Sequence, residues 1–293
     1  MNLIRYSPVF IVCSLLFVLS AVIALLVFRL NLGIDFMGGS IMEVEYQGIL
    51  PQQQDLEGIL KQFGAPSIQP IGEKGYIFRM GYLAEDVHQE VLRAIDLGQG
   101  VTEKKFEAIG PVIGNELRNK TLLMIVLSAL GIALYIAMAF RKSSLYIQSF
   151  QYSAVALLVT LHDVIIPIGA FALLGKLYGT QITIPIIVGL LTVLGYSIND
   201  TIVVFDRIRE NITKRSGIDL ADTVNKSINQ TFGRSVSTSS TVLLVLAALY
   251  FFGGATLKDF SLVLIIGVIA GTYSSIFLAP PLLVWWKQGK GAK

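Results

Sequence analysis

Six long apolar stretches divide this chain of 293 residues, at 9–28, 122–140, 154–174, 182–205, 236–252 and 260–286. At about 1.5 Å of rise per residue, each is long enough to cross hydrocarbon about 30 Å thick as an α-helix. The chain is 54% hydrophobic and only 15% charged, with a mean hydropathy of +0.67, so the pattern reads as a polytopic α-helical membrane protein. The first stretch follows Arg5, as a signal peptide would, but it exceeds a signal core and has no small-x-small cleavage pattern after it, so a retained helix is expected. The net charge of +3 does not point to nucleic acid, because the basic residues lie in short segments between the apolar stretches and form no single patch. Cys13 is the one cysteine and sits inside an apolar run, so neither an intramolecular disulfide nor a cysteine metal site is expected.

Lysine and arginine between spans resist translocation, which orients the chain. Arg141 and Lys142 flank one connection, Arg207, Arg209, Lys214, Arg215, Lys226 and Arg234 crowd another, and Lys287, Lys290 and Lys293 close the chain on the side of Arg5. The opposite short connections carry only Lys176 and Lys258, so both termini are expected in the cytoplasm. Trp285 and Trp286 fall where an interfacial anchor belongs.

Residues 31–120 break the apolar pattern and read as a water-exposed domain on the far side of the membrane. Residues 41–46 alternate apolar and polar as a strand does, and Leu56, Ile59, Leu60 and Phe63 then recur at helical spacing up to Gly64. Strand-like runs at 67–71 and 76–80, split by a glycine turn, precede a second helix carrying Val87, Val91, Leu92 and Ile95, and a last strand at 102–109. The order strand, helix, strand, strand, helix, strand predicts a ferredoxin-like α+β domain. Pro111 and Gly114 mark an expected break before the second membrane helix. The expected organisation is 1–30 for the N-terminus and first helix, 31–120 for the external domain, 121–286 for helices two to six, and 287–293 for a cytoplasmic tail.

The informative residues are polar groups inside apolar helices. An aspartate at the centre of a membrane helix costs about 2.5 to 3.5 kcal/mol on insertion scales, so it is kept where it faces other helices or a wet path. Asp163, preceded by His162, lies mid-way along the third stretch, and Asp200 lies in the fourth among Thr192, Tyr196, Ser197, Asn199 and Thr201. Tyr196 and Thr192 precede Asp200 at helical spacing, which puts a polar stripe on its face. Arg234 stands before the fifth stretch in a hydroxyl-rich run, and is expected to pair with Asp200 in one state and separate in another. A cationic partner favours the ionised carboxylate and apolar surroundings favour the neutral one, so such a movement would load and release a proton. Residues 206–211 read as a charged helix extension, and Gly267 and Gly271 as a small-residue helix contact. No metal-ligand cluster, nucleophile triad or phosphate-binding loop is present in the sequence, so no catalytic residue, metal or cofactor is expected.

These residues resemble the SecF family of protein export subunits. The stretch Gly33-Ile-Asp-Phe-Met-Gly-Gly39, with Asp35, Phe36, Gly38 and Gly39, resembles the family motif that opens the periplasmic domain. His162-Asp163 resembles the third-helix pair, and the run from Gly195 through Asn199, Asp200 and Thr201 to Asn211 is similar to the fourth-helix signature almost residue for residue. Arg234 with Thr238 and Ser239 resembles the fifth-helix motif, although Ser235 replaces the threonine the family pattern has there. The resemblance implies a subunit of the bacterial inner membrane that acts with SecD to complete export by the proton-motive force after the SecA ATPase and the SecYEG channel have acted. It further implies membership of the resistance-nodulation-division superfamily, YajC and YidC as further partners, and a translocating polypeptide as client. Asp200, Arg234 and Asp163 are the proton-path residues so implied, with His162, Tyr196, Asn199, Thr201, Thr238 and Ser239 in support. The alternatives are a proton-coupled small-molecule exporter of that superfamily and an intramembrane aspartyl protease using Asp163 and Asp200 as a dyad.

Overall fold

The computed structural model describes residues 3–64, 66–140, 147–214 and 219–291, with side chains for all of these but 255–256 and 288–291. Arg141, Lys142, Arg215 and Lys293, used above to orient the chain, lie outside the described residues. The chain divides into two compact units, one of Met1–Asn31 with Met124–Lys293 and the other of Leu32–Leu123.

The smaller unit opens on the short helix α2 (Ile34–Met37) and continues through β1 (Gly39–Tyr46), α3 (Gln53–Leu60), β2 (Ser67–Ile71), β3 (Gly75–Met80), α4 (Glu85–Asp96) and β4 (Val101–Ile109). The sheet is antiparallel throughout with order β2-β3-β1-β4, which is the ferredoxin-like arrangement. Alternation along β1 puts Met42, Val44 and Tyr46 on one face, where they meet Tyr76, Phe78 and Met80 of β3 and Leu56, Leu60, Val91 and Ile95 of the two helices. The tyrosine hydroxyls that this burial removes from water are satisfied, Tyr46 donating to the Ile95 carbonyl at 3.0 Å and Tyr76 to that of Pro51 at 2.8 Å.

Two glycines are required where α2 turns into β1. Gly38 has φ +74° and Gly39 φ +136°, and a Cβ on Gly39 would lie 2.8 Å from the Met80 carbonyl oxygen. Gly114 completes the close approach, since a Cβ there would meet the Gly38 nitrogen at 2.8 Å. Pro111, expected to mark a break, is instead the first residue of α5 (Pro111–Ala139), a position where its missing N–H costs nothing.

Among the described residues, six helical segments are long and apolar enough to cross a membrane: Ile4–Phe28, Pro111–Ala139, Ser149–Tyr178, Ile184–Lys214, Leu220–Phe252 and Leu257–Lys287. They comprise α1 (Ser7–Phe28) with the short turn before it, α5, α6 (Ser149–Tyr178), α7 (Ile184–Lys214), α8 (Leu220–Phe252) and the pair α9 (Ala255–Phe277) and α10 (Ala279–Gly291). The sixth stretch is broken at Leu278, where Pro280 and Pro281 supply no N–H to continue the helical ladder. The fifth helix differs from expectation: α8 starts well before the apolar run, so Arg234 lies inside a continuous helix and not ahead of one.

Helices α7 and α9 run side by side in the same direction through a reciprocal set of small residues. A Cβ on Gly189 would meet Val263 Cγ1 at 2.5 Å, one on Gly267 would meet Val193 Cγ2 at 2.2 Å, and one on Gly271 would meet Ser197 Cβ at 3.3 Å. The partners advance by one helical turn on both helices, so the backbones stay close over several turns. On α6 a Cβ at Gly169 would fall 2.4 Å from Ala21 Cα, which seats α1 against α6 in the same manner.

These glycines should differ sharply in their response to a methyl group. Gly267→Ala drives carbon into the stiff β-branched Val193 and should cost about 1 to 3 kcal/mol, whereas Gly131→Ala, with nothing within 4 Å of its added Cβ, should be neutral or slightly stabilising. Thermal unfolding of the two variants in detergent tests this, and equal midpoints would contradict the packing described.

Candidate functional site

The polar side chains of α6, α7, α8 and α9 form three hydrogen-bonded layers, around Asp163, around Asp200 and from Tyr196 to Thr272. In the first, Asp163 is fully buried and its carboxylate accepts from three donors. Ser274 Oγ donates to Oδ2 at 2.6 Å, Ser197 Oγ donates to the same oxygen, and His162 Nδ1 lies 2.7 Å from Oδ1. Gly271 makes this possible, because its missing side chain lets α9 approach to where an added Cβ would be 3.6 Å from Asp163 Oδ2. Pro167 lies four residues on in the same helix and has no N–H, so the Asp163 carbonyl lacks its usual intrahelical donor.

The second layer is centred on Asp200, which is partly buried between three helices. Ser235 of α8 donates to Oδ1 at 2.7 Å and Ser275 of α9 to Oδ2 at 2.5 Å. One turn along α7, Tyr196 donates to Ser239 Oγ at 3.2 Å, and Ser239 lies 2.6 Å from Thr272 Oγ1. Thr272 spends its own hydrogen on the Val268 carbonyl at 2.7 Å, so donation runs from Tyr196 to Ser239 to Thr272.

The expected pair of Asp200 and Arg234 is not formed here. Among the described residues Arg234 has no carboxylate oxygen within the 4.0 Å of an ion pair, and it is exposed on α8. The reason is angular: neighbouring residues point about 100° apart on a helix, and it is Ser235 that faces Asp200. Arg234 borders a cleft of about 250 Å³ with Asp206, Arg207, Glu210, Gln230 and Thr231. The acidic groups of that cleft are already held on α7, Glu210 by Arg207 at 2.7 Å and Lys214 at 2.6 Å, and Asp206 by Arg209 at 2.7 Å.

The other residues singled out from the sequence divide. Tyr196, Ser239 and His162 enter the layers described, whereas Asn199 and Thr238 are exposed, the Thr238 hydroxyl bonding back to the Arg234 carbonyl at 2.9 Å. Thr201 is buried and its hydroxyl oxygen has no hydrogen-bond partner among the described residues. Asp35 and Phe36 lie in α2 and Gly38 and Gly39 at its exit, where they shape the smaller unit. Sequence reasoning did not reach Ser235 as a ligand of Asp200, nor Ser274 and Ser275 at all. Asp163 and Asp200 bind separate hydroxyls with no shared hydrogen bond, which is not the one-proton arrangement of an aspartyl protease dyad.

A second surface accompanies these layers. Thr192, Gly195 and Asn199 on α7, and Arg234, Ser237, Thr238 and Thr241 on α8, are exposed at helical spacing within spans of membrane length. Polar side chains at that depth are poorly accommodated by hydrocarbon.

Removing the fully buried carboxylate should be structural in its effect. Asp163→Ala leaves His162 and Ser197 without this acceptor and Ser274 with only the Gly271 carbonyl, and should cost about 3 kcal/mol or more, whereas Ser274→Ala, which leaves two donors in place, should cost about 1 kcal/mol. Thermal unfolding in detergent ranks the two, and equal losses would contradict a carboxylate-centred layer.

Comparison with known proteins agrees with this geometry. Residues 89–289 match the family profile of the protein export membrane protein SecD/SecF C-terminal region, and residues 23–48 match the SecD/SecF GG motif, which contains Gly38 and Gly39. The protein translocase subunit SecF of Thermobaculum terrenum is 41% identical over 98% of this chain and 94% of its own length. That of Anaerolinea thermophila is 34% identical over 99% of this chain and 95% of its own. The crystal structure of SecDF, a translocon-associated membrane protein from Thermus thermophilus, superposes with a TM-score of 0.86 at 32% identity over 98% of this chain. The present chain spans 39% of that SecDF chain. Family profile, full-length relatives and fold agree, and the chain belongs to the SecD/SecF family of protein export membrane proteins.

Proposed function

We propose that this chain is the SecF-type half of a Sec export accessory complex in the bacterial inner membrane, converting inward proton movement into work on a translocating polypeptide. In this reading both termini are cytoplasmic, the ferredoxin-like unit is periplasmic, and the chain transduces energy without chemistry on its client. Its companion is a SecD-type half, and the pair acts on the SecYEG channel after SecA, with YajC and YidC as further neighbours.

The observation that carries the reading is Asp200, a carboxylate inside a membrane helix whose hydrogen-bond donors among the described residues are the neutral hydroxyls of Ser235 and Ser275. A charge so placed is costly to keep and inexpensive to neutralise, as a proton carrier requires. Arg234 adjoins Ser235 on α8, so turning that helix by one residue position, about 100°, would replace a hydroxyl by a guanidinium and favour proton release. Asp163, with three donors and no exposure, is the fixed element of the path against which Asp200 works. Each charge that crosses 100 mV yields about 2.3 kcal/mol, so a few protons per cycle suffice for large movements outside the membrane. The exposed polar face of α7 and α8 supports the companion half, which would cover it with another helix bundle.

Asp200→Asn should leave insertion and assembly intact and abolish the proton-dependent part of late translocation into inverted vesicles. Wild-type rates from that variant at equal subunit levels would exclude Asp200 as carrier. Single cysteines at Thr192 or Thr241 should cross-link to the companion half, and accessibility of both to lipid-soluble quenchers in the assembled complex would place that half elsewhere.

A further inference from the structure

Ser274 and Ser275 are sequence neighbours on α9, yet their hydroxyls serve different carboxylates, Asp163 and Asp200. Each also has a second acceptor on its own helix. Ser275 Oγ lies 3.1 Å from the Thr272 carbonyl as well as 2.5 Å from Asp200 Oδ2. Ser274 Oγ lies 3.1 Å from the Gly271 carbonyl as well as 2.6 Å from Asp163 Oδ2. A hydroxyl carries one hydrogen and two lone pairs, so each serine has one donor and a choice of two acceptors.

That choice bears on what happens when a buried carboxylate takes up a proton. The neutral carboxyl group presents an O–H where it previously presented an acceptor, and a neighbouring donor with nowhere else to turn is left unsatisfied. Ser275 has somewhere else to turn.

We propose that Ser275 is a positioning residue for proton loading at Asp200, its hydroxyl reversing from donor to acceptor as the carboxylate becomes a carboxylic acid. The inference rests on the reading of Asp200 as the carrier. One proton is handed over by a hydronium ion, which is left as water, and bonds to Asp200 Oδ2. The Ser275 hydrogen rotates from Oδ2 to the Thr272 carbonyl oxygen, and Ser275 Oγ accepts the new Oδ2–H. The Ser275 O–H bond is kept throughout and the Ser275 donor is not stranded. Among the described residues Ser235 has no second acceptor of this kind and donates to Oδ1. Ser274 has the Gly271 carbonyl as a second acceptor of the same kind, so the two serines differ in the carboxylate each faces: Asp163 is fully buried with His162 and Ser197 also on it, whereas Asp200 is partly buried with Ser235 beside Ser275.

The test uses the assembled complex with its companion half in vesicles and compares Ser275→Ala, Ser275→Cys and Ser275→Thr with wild type and Asp200→Asn. Threonine keeps the hydroxyl and the bond to the carbonyl three residues back, whereas cysteine keeps the volume and is a poor donor. Proton-dependent export should fall about tenfold in the alanine and cysteine variants and return to within about twofold of wild type with threonine. Infrared difference spectra on acidification give the second readout. The carboxyl C=O band that disappears in Asp200→Asn should move to higher frequency in the alanine and cysteine variants and return in the threonine variant, a change that loss of packing alone would not produce. Wild-type export with an unshifted band in both the alanine and cysteine variants would overturn the role of Ser275 and leave the carrier reading standing. Proton-dependent export that survives in Asp200→Asn would overturn the carrier reading and this inference with it.

Discussion

An ionised carboxylate inside hydrocarbon must be met by donors, and the arrangement of the membrane helices follows from meeting that demand twice. Asp163 takes three donors and no exposure, while Asp200 takes two hydroxyls and keeps partial exposure. The same chemical group is thereby given two characters. One is bound firmly enough to act as a structural centre, and the other is bound by partners that serve its neutral form as well.

Serine can play this part only where backbones are close, because its hydroxyl stands one carbon from the main chain. The set of Gly189, Gly267 and Gly271 against Val263, Val193 and Ser197 supplies that closeness between α7 and α9. Packing in the bundle and chemistry at the carboxylates are therefore one design, since a bulkier residue at Gly271 would push α9 off both Ser197 and Asp163. The break of α6 hydrogen bonding at Pro167 lies in the same layer and gives that helix a place to bend.

Much of this was legible in the residues themselves. Length and apolarity were enough to locate the six spans, because a helix satisfies its own backbone in hydrocarbon and a run of about 20 apolar residues suits a helix and not a barrel strand, and period-two alternation at Met42, Val44 and Tyr46 was enough for the first strand of the smaller unit. The two aspartates stood out because their cost is visible in any sequence. Their partners did not. Ser274 lies 111 positions from Asp163 and Ser275 lies 75 from Asp200, and a serine in an apolar helix costs too little to announce itself. Nor did charge complementarity show which residue of α8 meets Asp200 in this structure, since it ignores helical phase, and phase here gives the contact to Ser235. The start of α8 was misplaced because its first turns are polar, and hydropathy follows the lipid and not the helix.

The central claim of the proposed function is that protons cross the membrane by way of Asp200 as the complex does work. The most direct measurement is proton release from the lumen of sealed inverted vesicles, followed with a lumenal pH-sensitive dye while a client polypeptide either moves or is arrested in the channel. Proton release that accelerates with client movement in wild type, and does not in a complex carrying asparagine at position 200, is the expected result. Equal proton release in the two complexes, whether the client moves or not, would contradict the account.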